Sequence, residues 1–247
     1  MLIKLLCLGG IELSSNIFHP VTVGRRMSIP RFLTAAVCAS IAFGAAGQSV
    51  TIEQVIKKVQ EQQKRTHTLQ ADFRQEKELA LLAKPEVSTG TFLYSRPNNV
   101  LWTYATPKRV QMVIANGTLT TYYADLAKAE RIDVKKFEDR IFKYMGATGA
   151  IDELARYFDF TFTDSKSKPV FVLDLTPKNR AVGKRVKRIK IWIDKKSYLA
   201  QKFEYVEGDG DITRYEFTNM RINEPVPPSR FAIALPSNVK VEQMKIQ

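Results

Sequence analysis

The sequence predicts a mainly β protein whose antiparallel strands curl into an incomplete barrel, capped by a few short α-helices and enclosing an apolar cavity. Three observations carry this expectation. Runs of period-two alternation follow one another too closely for the helical crossovers that parallel strands need. Asn116-Gly117, the strongest short hairpin signal, stands between two such runs. Only about three stretches have helical periodicity, too few to cover about eleven strands laid flat, so the sheet must curve to bury its apolar side. A concave apolar interior of that kind is the usual setting for a hydrophobic ligand.

The elements follow in order. Thr51-Ile52-Glu53-Gln54 has capping-box spacing, and Ile52, Val55, Ile56 and Val59 then recur on one helical face, which predicts a helix over 51–66. From Leu69 the period becomes two, with Leu69, Ala71 and Phe73 on one side and Gln70, Asp72 and Arg74 on the other. Phe92, Tyr94 and Arg96 share a face of the next strand, which Pro97-Asn98-Asn99 ends; Val100, Trp102 and Tyr104 share a face of the one after. Val110, Met112 and Ile114 lead into the Asn116-Gly117 turn, and residues 118–123 return. Two short helices are expected at 137–145 and 151–157, separated by Gly146-Ala147-Thr148-Gly149. Strands resume at 158–162 and 170–175, and three longer ones alternate through Ile189, Ile191 and Ile193, then Leu199, Gln201, Phe203 and Tyr205, then Thr213, Tyr215 and Phe217. No Pro-, Gly- or Ser-rich linker divides this set, so residues 48–247 read as one domain.

The first 47 residues read differently. Arg25, Arg26 and Arg31 precede an uncharged, mostly apolar stretch from Phe32 to Ala46. That is the pattern of a cleavable secretory signal, shorter than the roughly 20 apolar residues of a membrane-spanning helix. Met27 is the expected start of translation, with an upstream extension before it. Cys38 follows Val37, where a lipidation signal would carry a small residue. Removing residues 1–47 takes away Lys4, Glu12, Arg25, Arg26 and Arg31, so the formal charge falls from +13 to +10, and both cysteines, Cys7 and Cys38, go with it. The exported chain then has no thiol chemistry and a single histidine, His67.

Chemistry-bearing patterns are sparse. His67 has no nucleophile elbow to serve, no His pair or Cys set offers a metal site, and Asp209-Gly210-Asp211 lacks calcium-loop spacing and reads as a hairpin turn. No cofactor is expected. Paired carboxylates of a glycosidase would need no histidine, so an exported carboxylate-dependent glycosidase is kept as the rival class. The basic run over 178–190 lacks interleaved aromatics for base stacking, so nucleic acid is not expected as a partner; it reads as a solvated strand face or as a contact for anionic lipid or an acidic partner.

The ordered set Leu69-Gln70-Ala71-Asp72-Phe73-Arg74-Gln75, Gly90-Thr91-Phe92-Leu93-Tyr94-Ser95-Arg96-Pro97-Asn98 with Trp102, Ile114-Ala115-Asn116-Gly117 with Tyr122-Tyr123, Leu173-Asp174-Leu175-Thr176-Pro177-Lys178, and Phe231 before Leu235-Pro236 resembles the LolA family of periplasmic lipoprotein carriers. The resemblance implies a half-barrel of about eleven strands with a helical lid, no catalytic activity, and a monomer that carries acylated lipoproteins from an inner-membrane lipoprotein-releasing ABC transporter to an outer-membrane receptor. It implies a lipid-binding cavity lined by Phe73, Phe92, Tyr94, Val100, Trp102 and Met112, residues that plain core packing would also explain. It implies that Arg96 gates the lid; strand alternation places Arg96 inward, and an arginine at the strand end reaching solvent is the other reading. A carrier or sensor of another lipid on the same fold is the nearest alternative. Two features depart from the family pattern: Val100 stands where an aromatic residue is usual, and the 178–190 run is unusually basic.

Overall fold

The computed structural model describes residues 50–137, 150–164 and 167–244. The expected signal segment over 1–47 and nearly all of the expected helix at 137–145 lie outside the described residues. Helix α1 (Ile52–Arg65) begins at the capping box: the Gln54 backbone N–H donates to Thr51 Oγ1 at 3.4 Å and the Thr51 N–H donates to Gln54 Oε1 at 3.0 Å. It stops where Thr66 turns extended and donates its N–H to the carbonyls of Gln62 and Gln63.

Twelve strands form one sheet: β1 (Thr68–Glu78), β2 (Glu86–Ser95), β3 (Asn99–Thr106), β4 (Val110–Ala115), β5 (Thr118–Tyr123), β6 (Lys128–Asp133), β7 (Phe158–Asp164), β8 (Val170–Pro177), β9 (Val186–Asp194), β10 (Ala200–Glu207), β11 (Ile212–Ile222) and β12 (Lys240–Met244). Their spatial order is β12-β6-β5-β4-β3-β2-β1-β11-β10-β9-β8-β7. Two antiparallel meanders, β1 to β6 and β7 to β11, are therefore joined by the pairing of β1 with β11. The sheet is open, with β12 and β7 at its two ends. Asn116 (φ 51°) and Gly117 (φ 72°) make the two-residue turn between β4 and β5, both in the left-handed region that such turns require.

Two strands escape the sequence pattern. β6 carries Lys128, Glu130 and Arg131 around its buried Ala129 and Ile132, so its alternation is too broken to read. β12 is short and charged, and it pairs with β6 in parallel, which corrects the expectation of a wholly antiparallel sheet. Helix α2 (Ala150–Tyr157) matches the second expected short helix, and the single-turn α3 (Arg180–Gly183), capped by Asn179, lies inside the basic run.

One face of the sheet is mostly apolar from β7 to β6. On β7 to β10 it packs Phe158, Phe171, Leu173, Leu175, Ile191 and Ile193 beneath Val55 and Val59 of α1. On β1 to β6 and β11 it packs the aromatic cluster described below, and Phe203 touches both halves. On the opposite face, Leu93, Leu101 and Val113 of β2 to β4 are buried with Phe231 of the C-terminal segment. Those three strands are thus apolar on both sides, which corrects the expectation of one apolar face per strand; alternation identifies faces but not what covers them.

Candidate functional site

The six residues expected to line a cavity share one cluster. Register carries them there: Phe92 pairs with Trp102 and Trp102 with Met112, while Tyr94 pairs with Val100. Phe73 lies opposite Gly90 on β2 and Phe217 on β11. The Trp102 ring is 4.6 Å from Phe92 and 4.9 Å from Phe73, the latter edge to face. Phe73, Phe92, Tyr94 and Val100 are buried, and Trp102 and Met112 are partly exposed against them. Val100 is buried and packs within the same wall as Ile114 and Leu119.

Sequence reasoning missed the other half of this wall. Phe217, Tyr215 and Phe203 complete the ring of aromatics, Phe217 standing 5.9 Å from both Phe92 and Trp102 and 6.1 Å from Phe203. Alternation along β11 put Tyr215 and Phe217 on one face. Nothing local showed that β11 would lie beside β1, some 140 residues away in sequence.

The wall carries two polar features. The indole Nε1 of Trp102 is buried and has no hydrogen-bond partner among the described residues. Further along, Gln75 Nε2 donates to the Tyr215 hydroxyl, which is hydrogen-bonded to Tyr104, and Tyr205 is bonded to Thr213. Burial pushes the tyrosines up: Tyr215 well above the ordinary phenol value, Tyr104 also upward, and Tyr205 to about 12. A raised phenol favours the neutral form in the folded state. Its contribution to stability is full below the unfolded value of about 10 and is lost as pH rises through the folded value. Absorbance titration is therefore expected to show Tyr104, Tyr205 and Tyr215 ionising late, together with unfolding near or above pH 12; three ordinary titrations near pH 10 would contradict the buried network.

Arg96 meets α1, the helix whose Val55 and Val59 pack on the inner face. β2 ends at Ser95, and Arg96 lies just past it, exposed, with its N–H donating to the His67 carbonyl at 2.9 Å. The residue opens the turn that follows β2. Its Nη2 reaches the last turn of α1 and donates to the Gln63 carbonyl at 2.8 Å. Asn223 joins the same helix end, donating from Nδ2 to the Arg65 carbonyl at 3.0 Å and accepting the His67 N–H at 2.7 Å. A cation and an amide thus bond carbonyls in the last turn of α1, the Gln63 carbonyl accepting from Arg96 as well as from the Thr66 N–H. His67 is exposed on this link between α1 and β1.

The other face of the sheet carries a ladder of opposite charges. Arg188 Nε donates to Asp174 Oδ1 at 2.7 Å, and Lys190 stands 3.7 Å from the same carboxylate. Arg214 bridges Glu204 at 2.7 Å, Glu76 at 3.2 Å, and Glu78. Hydrogen bonds from Arg188 and from Arg74 hold the carboxyls of Asp174 and Glu76 below the usual range. Part of the basic run is accordingly paired across strands, and Lys178 is spent on the Ala155 carbonyl at 2.6 Å.

A family model described as Outer membrane lipoprotein carrier protein LolA matches residues 64–234. Among curated proteins, an outer-membrane lipoprotein carrier protein of Methylococcus capsulatus is 29% identical over 222 residues, covering 88% of this chain and all of the relative. Another, from Pseudomonas fluorescens, is 23% identical over 158 residues, covering 63% of this chain and 72% of that protein. Among solved structures, an uncharacterized conserved protein of Thermus thermophilus superposes with a TM-score of 0.51 at 8% identity, covering 78% of this chain and 98% of the other, a likeness of fold alone. With the model spanning well over half of the sequence, from the end of α1 to beyond Phe231, and with the open twelve-stranded sheet in place, the chain belongs to the LolA family.

Proposed function

We propose that this protein is a periplasmic carrier that takes the acyl chains of lipoproteins leaving the inner membrane onto its inner aromatic wall and delivers them to the outer membrane. The observation that carries the reading is the mostly apolar face running from β7 to β6, half of it under α1 and half under its own rings. Such a face fits a long hydrocarbon. Each buried methylene contributes about 0.8 kcal/mol, so a chain of about 15 methylenes gains roughly 12 kcal/mol before costs, comparable to what it loses on leaving a bilayer. The expected export signal over 1–47 supports a place in the compartment between the two membranes. An inner-membrane ABC transporter as donor and an outer-membrane receptor as acceptor complete the route, and no covalent step is required of the carrier.

Loading needs α1 to lift from Leu173, Ile191 and Ile193, because Val55 and Val59 occupy that part of the wall in this structure. The Arg96 to Gln63 bond is then a latch that closes over the empty wall and opens over a filled one. Re-forming it on unloading favours release, since a ligand shifts such an equilibrium only by its differential affinity for the two states.

The wall is tested with a fatty acid brominated along its chain, added to the Trp192→Phe variant so that Trp102 is the remaining tryptophan. Strong quenching of Trp102 emission is expected, and simple sugars should have no effect. Unquenched Trp102 at saturating fatty acid would sink the assignment of the acyl site.

A further inference from the structure

The wall of the sheet is split at one place. β10 and β11 pair only from Lys202 opposite Glu216 to Val206 opposite Ile212, although β10 begins at Ala200 and β11 continues along β1 to Ile222. Two bulges at the same level cause this. Gln201 is an extra residue in β10 against β9, and Asn219 with Met220 stand opposite the single Ala71 of β1, Asn219 in the left-handed region at φ 50°. A bulge bends and twists its own strand. Beyond Lys202 and Glu216 the pairing of the two strands ends and leaves a wedge of about 550 Å³, lined by residues that include Leu199, Trp192, Lys202, Phe217 and Met220.

The chemistry of this wedge differs from that of the inner wall. Phe217 to Met220 have β1 as their only strand neighbour among the described residues and line the wedge on the side of β11 where β10 would continue. Gln201 and Thr218 add polar side chains to its lining, and Lys202 lies over the Trp192 ring at 5.2 Å with no ion pair among the described residues. A hydrocarbon would leave these donors and acceptors without partners. An extended peptide would use them, by adding a short strand to an exposed edge. The bulge at Asn219 refuses the long flat strand of a second copy, whereas a short flexible linker can follow the bend.

We infer that the wedge between β10 and β11 holds the extended polypeptide that directly follows the acylated cysteine of a cargo lipoprotein. This rests on the acyl-carrier reading above. Phe217 joins the two sites, because it is among the residues lining the wedge and its ring stands 5.9 Å from Phe92 and Trp102. Acyl chains on the inner wall and peptide in the wedge would be separated by one side chain, and the cargo's folded part would remain outside.

The test uses a synthetic diacylated cysteine carrying a six-residue peptide tail with a fluorescent label, and the purified protein with a benzophenone amino acid at Leu199 or, in a second variant, at Met220. Binding is read by co-elution of the label on gel filtration, and cross-links are mapped by mass spectrometry after illumination. Cross-links from both positions to the peptide tail are expected, with none from the same probe at the exposed Leu81. Cross-links confined to the acyl chains would overturn the peptide assignment. Co-elution without cross-links at either position would overturn the wedge while leaving the carrier reading intact. No co-elution with the unmodified protein would overturn both.

Discussion

Replacing Gly90 by alanine is expected to destabilise the protein by about 3 kcal/mol or more. A Cβ at this position would lie 1.9 Å from the Thr103 carbonyl oxygen and 2.9 Å from two atoms of the Phe73 ring. Neither neighbour can yield cheaply. Thr103 is held in the β2–β3 ladder, where the register already shifts between Thr89 and Gly90, and the Phe73 ring is wedged edge-on between Trp102 and Tyr104 at 4.9 Å from each. Relief would require parting the ladder or dismantling the aromatic wall, and glycine in a strand marks such a close approach of backbones. Urea unfolding would show a midpoint lowered by roughly 1–3 M at an m-value of about 1–3 kcal/mol/M. Gly183→Ala serves as the comparison, since a Cβ there meets Pro177 Cγ at an ordinary 3.4 Å. Equal midpoints for the two variants would refute the close-packing argument.

The largest functional effect is expected for Arg96→Leu: the variant binds lipoprotein as well as or better than the parent and hands it on poorly. A hydrogen bond from a charged donor is worth about 1.5–3 kcal/mol, and the exposure of Arg96 favours the low end. If the bond forms only when α1 is closed over an empty wall, its loss shifts the equilibrium toward the loaded state by about tenfold. Transfer from the purified variant to vesicles bearing the outer-membrane receptor is therefore expected to fall by about that factor, with loading unchanged. Arg96→Lys keeps the cation and should recover part of the transfer. Asn223→Ala cuts the second tie to the same helix end and should move in the same direction by a smaller amount. Normal transfer by Arg96→Leu would remove Arg96 from the release step and leave it a helix-capping residue.

Gly90 and Arg96 belong to one motif, and they differ in how much of their role is legible. Gly90-Thr91-Phe92-Leu93-Tyr94 alternates so strictly that the inner face could be read at once, and Phe92 and Tyr94 are where alternation puts them. Arg96 is two residues further on the same parity and yet belongs to the turn, because β2 has already ended. Alternation shows which residues of a strand share a face, and neither where the strand ends nor what its polar side chains pair with. The same limit hid β6 and β12, whose charges are spent on neighbouring residues: Lys128 reaches Glu130 at 2.9 Å on its own strand and Glu242 at 3.0 Å on the next, a pairing that local sequence cannot display.

What the sequence determined by itself was local: the capping box that starts α1, the Asn116-Gly117 turn, the inward parity of most strands, and hence an aromatic-rich apolar face on an open, mostly antiparallel sheet. These follow from contacts within a few residues, where propensity, turn chemistry and side-chain period act directly. Only the tertiary structure decided that β11 lies beside β1, so that Phe217 and Tyr215 complete the wall begun by Phe73. Only it decided that Arg96 ties the end of α1 and that two facing bulges split β10 from β11. Such features depend on which strands become neighbours, and that choice is made by the burial of the whole apolar face rather than by any single segment's preference.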